Sequence, residues 1–154
     1  MDLSDLLSTD AVVPALKAMS KKQAIQELAE RAAALTSRPE REIFDTLLQR
    51  ERLGSTGVGH GVAIPHGKLP GLERLVGLFA RLDKPIDFEA LDDAPVDLVF
   101  VLLAPEGSGA DHLKALARIA RVLRDPATAA KLRATADASA LYAMLTQPAA
   151  SNAA

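Results

Sequence analysis

The sequence predicts a single α/β (α+β) domain, a sandwich in which helices flank a mixed β-sheet of about five strands. The first observation is the run 96–104, which is apolar almost throughout and typical of a central strand covered on both faces. The second is that apolar residues recur at helical spacing in several other segments. The third is the length of 154 residues, which suits one domain with its own core. Strands mixed with helices in this way favour a mixed sheet over a doubly wound parallel one.

The N-terminal half is predicted to contain one short strand and then two helices, over about 11–18, 21–35 and 39–52. Pro14 places the strand at a sheet edge or makes it a strand end, because proline cannot donate to a ladder. Ser20 and Gln23 have the spacing of a capping box at the start of the first helix. Pro39 stands near the first position of the second helix, and Gly54 follows its end.

The C-terminal half is predicted to contain a mostly buried strand over 75–82, the central strand, and three helices. Asp83, Lys84 and Pro85 are expected to turn the chain after the first of these strands. The helices are expected over about 110–124, over 126–134 after the N-cap Asp125, and after the N-cap Asp137. We expect the domain to span residues 1–147 and residues 148–154 to be a flexible tail.

Composition excludes several classes of function. The net charge of −2 and the pI of about 5.9 lack the basic footprint of a nucleic-acid binder, and aromatic residues make up only 3%. No apolar run approaches the ~20 residues of a membrane helix, and the acidic N-terminus lacks a signal-peptide layout. The absence of cysteine excludes disulfides and a thiol nucleophile, and fits a cytoplasmic protein.

One glycine-rich stretch stands out: Gly-Ser-Thr-Gly-Val-Gly-His-Gly-Val-Ala-Ile-Pro-His-Gly-Lys, over 54–68. It contains five of the nine glycines and two of the three histidines. The apolar run 62–64 suits one brief strand, which we expect to end at the stiff corner made by Pro65. His66 would then be presented at the end of that strand, beside Gly67, with room for a tetrahedral group.

Four familiar motifs do not fit this sequence. The P-loop pattern fails because five residues separate Gly61 from Gly67 and no Ser or Thr follows Lys68, and the dinucleotide glycine pattern also fails. The histidines lack the spacing of a zinc-protease motif. Ser108 lies between two glycines but not in a nucleophile elbow, although composition alone leaves a Ser–His–Asp triad open.

His66 is therefore the candidate nucleophile, because a neutral imidazole can accept a phosphoryl group and later release it. The alternative is a loop histidine that is hydrogen-bonded to the backbone. His112 lies in the first turn of a predicted helix, where anions are favoured, or is a capped, partly buried histidine. Arg50 could offer a planar fork to phosphate, or be a solvated arginine at a helix C-terminus.

Three further residues are candidates for binding phosphate or for shaping the loop: Ser55, Thr56 and Gly67. Turn formation is the default role for the two hydroxyl residues. His60 lies between two glycines and is expected to be a loop residue near the site, with no assigned role.

The stretch 54–68 resembles the active-site signature of the IIA proteins of the phosphotransferase system, mannitol/fructose type. Three further stretches support the resemblance, which covers nearly the whole chain: 84–88, 95–105 and 111–113 with its helix. The residues Gly-Ser-Thr-Gly, over 54–57, look most like those of the nitrogen-regulatory branch. The resemblance implies the mannitol-type IIA fold, His66 as phosphoacceptor, His112 as the second site histidine and Arg50 as the arginine of an Arg-Glu pair.

The resemblance also implies a function. The chain would be a cytoplasmic phosphohistidine carrier, rather than a turnover enzyme, that accepts its phosphoryl group from an HPr-like phosphocarrier protein (NPr). It would regulate target proteins such as transporters or sensor kinases by its phosphorylation state. We expect no cofactor, metal, nucleic acid, membrane insertion or free small-molecule substrate. The alternatives are a sugar-transport IIA that passes phosphate to IIB, and an interaction module that never carries phosphate.

Overall fold

A mixed sheet of six strands forms the centre of the computed structural model, which describes residues 1–148. The strands are β1 (Val12–Leu16), β2 (Gly57–Gly59), β3 (Val62–Ala63), β4 (His66–Leu69), β5 (Val76–Ile86) and β6 (Val96–Pro105). Their order is β1-β5-β6-β3-β2, and β4 also pairs with β6. The β5–β6 and β2–β3 pairs are antiparallel, whereas β1 is parallel to β5, and β3 and β4 are parallel to β6. The predicted mixed sheet is confirmed.

Five helices flank this sheet in the part of the chain that the structure describes. They are α1 (Lys21–Thr36), α2 (Glu40–Arg52), α3 (Gly109–Arg124), α4 (Pro126–Arg133) and α5 (Ala138–Leu145). The predicted N-caps are confirmed, since Ser20, Asp125 and Asp137 each accept a backbone N–H from the first turn of their helix. Helix α1 packs against α2 and β5, α2 against β4, α3 against β6, and α5 against β1.

Strand β6 is the centre of the core. It pairs with β5 on one side and with β3 and β4 on the other. Every residue from Leu98 to Ala104 is at most 1% exposed. Successive side chains of a strand point to opposite faces, so an unbroken buried run requires that both faces of the sheet are covered. The prediction for this strand is confirmed. The prediction that β1 lies at a sheet edge is confirmed too.

One prediction about β5 is wrong, and four short elements were not predicted. The turn expected at Asp83, Lys84 and Pro85 does not form, and β5 continues to Ile86. All three residues are exposed, and the register with β6 is irregular between Arg81 and Ile86, so the missing N–H of proline interrupts no regular ladder. Short strands β2 and β4 and two 3₁₀ turns, Leu3–Asp5 and Thr9–Ala11, were not expected, because such short elements carry no periodic pattern.

The brief strand before His66 ends as predicted before Pro65, but the chain makes no corner there. Val62 pairs with Leu98 and His66 pairs with Leu102, so the offset of 36 residues is the same in β3 and β4. The chain keeps its course along β6 and is interrupted only at positions 64 and 65, where Pro65 lacks an N–H. His66 is thus the first residue of a resumed strand rather than a residue presented at a corner after the strand.

Two further predictions concern the C-terminal tail and membrane insertion. Residues 149–154 of the predicted tail lie outside the described residues, so its flexibility stays a prediction. Within residues 1–148, none of the helices is both long and apolar enough to span a membrane.

Candidate functional site

The glycine-rich stretch begins as a small hairpin. Strands β2 and β3 pair through a connection in which Gly59, His60 and Gly61 have φ of 98°, 58° and 78°. This left-handed region is open to glycine and unusual for histidine. The main chain of His60 is held on both sides, because its N–H donates to Asp92 and its carbonyl accepts from Arg133.

His66 is oriented by the backbone just before it. Its Nδ1 lies 2.7 Å from the carbonyl oxygen of Ile64, two residues earlier. A carbonyl can only accept, so the ring carries its proton on Nδ1 and keeps the lone pair on Nε2. The interruption at Ile64 and Pro65 therefore fixes the tautomer of His66, and leaves Nε2 as its nucleophilic atom.

Arg50 faces that atom from the end of α2. Its Nε–H donates to His66 Nε2 at 3.3 Å, and its Nη1–H donates to the Gly54 carbonyl at 2.9 Å. Helix α2 reaches this position because Gly67 has no side chain. A Cβ on Gly67 would lie 2.5 Å from Cγ2 of Thr46, one turn before Arg50 on the same helix. The structure thus brings Arg50, His66 and Gly67 together.

His112 lies beside His66 and belongs to helix α3. It lies in the first turn of α3, and its ring is edge-on to the His66 ring, with 5.6 Å between the ring centroids. Only 8% of the residue is exposed, and its buried Nδ1 has no hydrogen-bond partner among the described residues. A buried, unpaired nitrogen is costly in a folded protein and requires an explanation.

Burial sets the protonation of both histidines. It lowers the pKa of His66, and the charge of Arg50 lowers it further. The hydrogen bond to Ile64 and the charge of Glu51 have the opposite effect, but burial is the largest cause. Burial also lowers the pKa of His112, and the charges of His66 and Lys68 lower it further. Near pH 7 both rings are therefore neutral, and His66 keeps its Nε2 lone pair.

The two hydroxyl candidates contact the protein itself. Ser55 donates its hydroxyl to the Phe88 carbonyl at 2.8 Å and accepts the N–H of Gly57. Thr56 is 3% exposed, and its hydroxyl donates to Glu51. Each hydroxyl has one proton, and in both residues that proton already has an acceptor. Their contacts match the loop-shaping alternative, and a role in binding phosphate stays a prediction.

Two polar residues near the site, Glu51 and Lys68, were given no role of their own by the sequence patterns. Glu51 is 6% exposed although it carries a charge. The available signal was its place in the last turn of α2, where a carboxylate is unfavourable to the helix dipole and needs a specific partner. Lys68 follows His66 by two residues in β4 and is exposed, and it had entered only the P-loop pattern, which fails.

His60 lies apart from this group. It precedes β3, whose first residue Val62 lies about 13 Å along the strand from His66. Across residues 1–148, no three histidine, aspartate or glutamate side chains cluster so as to hold a metal ion. The arrangement around His66 is a nucleophilic imidazole flanked by a guanidinium and a second imidazole, which suits transfer of an anionic group.

Residues 5–147 match the family described as "Phosphoenolpyruvate-dependent sugar phosphotransferase system, EIIA 2". The chain belongs to this family. Among its EIIA relatives is a nitrogen regulatory protein of Bradyrhizobium diazoefficiens, which is 66% identical over 148 residues, 96% of this chain and 97% of the relative. The predicted family and its nitrogen-regulatory branch are confirmed.

Solved EIIA structures confirm the predicted mannitol-type fold. The nitrogen regulatory protein IIA-Ntr of Neisseria meningitidis superposes with a TM-score of 0.89 at 34% identity, covering 94% of this chain and 99% of that one. IIA mannitol of Escherichia coli, solved in complex with phosphorylated IIB mannitol, gives 0.76 at 19% identity, covering 91% and 98%. At that identity the second likeness concerns the fold alone.

Proposed function

We propose that this EIIA protein is a phosphohistidine carrier and regulator of the nitrogen-related phosphotransferase system. In this proposal, Nε2 of His66 accepts a phosphoryl group from a phosphohistidine of an HPr-like phosphocarrier (NPr). The Nε2 lone pair attacks phosphorus in line, the bond between phosphorus and the donor imidazole breaks, and the donor nitrogen keeps that electron pair. The proton on Nδ1 of His66 stays in its hydrogen bond to Ile64.

The observation that carries the proposal is the fixed tautomer of His66. A histidine that accepts phosphorus needs one ring nitrogen that carries no proton and benefits when the other holds its proton. The Ile64 carbonyl provides the second condition, and burial, which lowers the pKa of His66, favours the first. Arg50 contacts the reactive nitrogen, so its guanidinium stands where phosphoryl oxygens would arrive.

The remaining predicted residues receive roles within the same step. Phosphoryl transfer depends chiefly on positioning and on charge stabilisation, so His112 and Arg50 would hold the phosphoryl oxygens. Gly67 would act by allowing α2 close to β4. Ser55 and Thr56 would act by holding the loop, since their hydroxyl protons are engaged within the protein.

The regulatory part of the proposal rests on the nitrogen regulatory relatives. Phosphorylation of His66 adds negative charge at a half-buried site, which changes the surfaces that can pack there. Target proteins such as transporters or sensor kinases would then distinguish the two states. We place the reaction in the cytoplasm. The absence of cysteine fits this location.

Sugar transport is the second candidate function. The Escherichia coli IIA mannitol protein, which shares this fold, was solved with its phosphorylated IIB partner. If this chain serves sugar uptake, its phosphorylated form will pass the phosphoryl group rapidly to a purified sugar-specific IIB. Efficient turnover of this kind would contradict the regulatory proposal. Failure to transfer, together with uptake from the HPr-like donor, would support it.

The basic test is phosphorylation by a reconstituted relay. The protein is incubated with phosphoenolpyruvate, enzyme I and the HPr-like protein, and its mass is measured with and without brief acid treatment. We expect a gain of one phosphoryl group that acid removes, because the P–N bond of phosphohistidine is labile. An unchanged mass, when the HPr-like protein itself is fully phosphorylated, would favour an interaction module that never carries phosphate.

A further inference from the structure

Glu51 is a buried carboxylate beside the arginine of the site. It is 6% exposed and follows Arg50 directly in the last turn of α2. One of its oxygens accepts the backbone N–H of Thr56 at 3.0 Å, and the other accepts the hydroxyl of Thr56. The ammonium of Lys21 lies 3.1 Å from the first oxygen. Lys21, Glu51 and Thr56 are called the Glu51 cluster below.

The position of Glu51 is unfavourable by itself. Burial disfavours a charged carboxylate, and the C-terminal end of a helix repels negative charge. The contacts of the cluster satisfy the carboxylate, but an apolar residue would fill the same space without needing them. A gain in folding stability is therefore a weak explanation for this buried ion pair. The residues that it contacts indicate another role.

Arg50 and its neighbour Glu51 both bind the first residues of the glycine-rich stretch. Arg50 donates from Nη1 to the carbonyl of Gly54, and Glu51 accepts from Thr56, two residues beyond Gly54. The end of α2 and the first residues of the glycine-rich stretch are thus joined by two adjacent side chains. Any shift of this loop relative to α2 would move the Gly54 carbonyl and, with it, the guanidinium that contacts His66.

Lys21 extends this support to other elements. It is the first residue of α1, and its ammonium also lies 3.4 Å from Glu89 and 5.1 Å from the centre of the Phe88 ring. The Phe88 carbonyl in turn accepts the hydroxyl of Ser55. The start of α1, through Lys21 and Glu51, and the segment after β5, through the Phe88 carbonyl, therefore fix the same loop.

We propose that the Glu51 cluster positions the Arg50 guanidinium against Nε2 of His66, with Glu51 as the central positioning residue. None of the three side chains needs to touch the phosphoryl group. The inference rests on the proposed phosphoryl transfer and adds to it a group from α1 and a buried carboxylate. Displacing a contact group by about 1 Å can slow a positioned reaction roughly 100-fold, so the cluster has a measurable effect.

A double-mutant cycle tests whether Glu51 acts through Arg50. Single-turnover transfer from the phosphorylated HPr-like protein is measured for the unaltered chain and for Glu51→Gln, Arg50→Ala and the double variant. We expect Glu51→Gln to slow transfer roughly 10- to 100-fold at saturating donor, with little change in the donor concentration needed for half-maximal rate. In the Arg50→Ala background the same change should cost less than about twofold.

Glu89→Gln is the matched control. It removes the other carboxylate that faces Lys21, on a side chain that is 74% exposed, and should leave the transfer rate unchanged. Thr56→Val removes only the hydroxyl contact to Glu51 and repeats the cycle if Glu51→Gln lowers the folded fraction. Thermal unfolding of every variant confirms that folded protein is compared.

Two results would overturn the inference. One is an equal loss for Glu51→Gln with and without Arg50, which would make Glu51 a general structural residue. The other is no loss in either background. Both results require that the unaltered chain accepts phosphate, so they leave the proposed function intact. If the unaltered chain accepts none, the proposed function fails instead, and the two failures are distinguished in one experiment.

Discussion

The ring centroids of His66 and His112 lie 5.6 Å apart, yet the two rings have different hydrogen-bond partners. His66 emerges from the sheet with both ring nitrogens paired, Nδ1 with the Ile64 carbonyl and Nε2 with Arg50. His112 emerges from a helix with a buried Nδ1 that has no partner within residues 1–148. Burial lowers the pKa of both. In the proposed function this difference fits a phosphoryl acceptor, His66, beside a second ring, His112, that stabilises the phosphoryl oxygens.

Replacing His66 should have a larger effect on phosphoryl uptake than any other change, including a change of His112. His66→Ala removes the only nitrogen that we assign as acceptor, so phosphoryl uptake should fall to background. His60→Asn is the matched control, because it alters an exposed histidine of the same loop and asparagine tolerates the left-handed backbone there. Uptake of radiolabelled phosphate measures both. Label that persists on the His66→Ala protein would show that the acceptor is misassigned.

The next effect sharpens the role of His112. His112→Leu should slow phosphoryl transfer roughly 100-fold without abolishing it, because one stabilising group for the phosphoryl oxygens is lost. The same change should keep or raise the free energy of unfolding by about 1 kcal/mol, since it removes an unpaired buried nitrogen. Rapid-quench kinetics and urea unfolding measure the pair of effects. A destabilised variant with an unchanged rate would make His112 a structural residue.

A smaller effect tests how the sheet and α2 present the nucleophile. Gly67→Ala would place a methyl group 2.5 Å from Cγ2 of Thr46, so it should lower the free energy of unfolding by about 1–3 kcal/mol and displace Arg50. Thr46→Ser removes that methyl group and should rescue the alanine variant. Urea unfolding and transfer rates of the single and double variants give the answer. Without rescue, the close approach of α2 would not be the reason for glycine.

The smallest effect concerns protonation. Both pKa values lie below the ordinary 6.5, so at mildly acidic pH the unfolded chain binds more protons than the folded one. This part of the stability is complete above pH 6.5 and is lost as the pH falls below that value. NMR titration of the two rings should give midpoints below 6.5 in the folded protein and near 6.5 in urea. A folded midpoint above 6.5 for His66 would contradict the account.

The fold was largely predictable because its main elements carry local signals. The apolar run of β6, the caps at Ser20, Asp125 and Asp137, and the helical spacings depend on neighbouring residues. The continuation of β5 through Pro85 was not predictable in this way. It depends on an irregular register with another strand, which the local sequence of a turn-like tripeptide does not show.

The site was predictable to a different degree. The resemblance and the motif identified His66, Arg50 and His112, and the structure brings these three together. The pattern could not show that Ile64 fixes the tautomer, because this depends on a backbone carbonyl in an interrupted strand. Nor could it show that Lys21, thirty residues before Glu51, forms an ion pair with it, since that contact exists only after α1 and α2 have packed.

The most direct measurement asks which nitrogen of which histidine carries phosphorus. The protein, labelled with ¹⁵N at histidine, is phosphorylated by the HPr-like donor and examined by heteronuclear NMR. We expect phosphorus on Nε2 of His66, with the proton retained on Nδ1 and bonded to the Ile64 carbonyl. Phosphorus on Nδ1 of His66, or on any other residue, would contradict it.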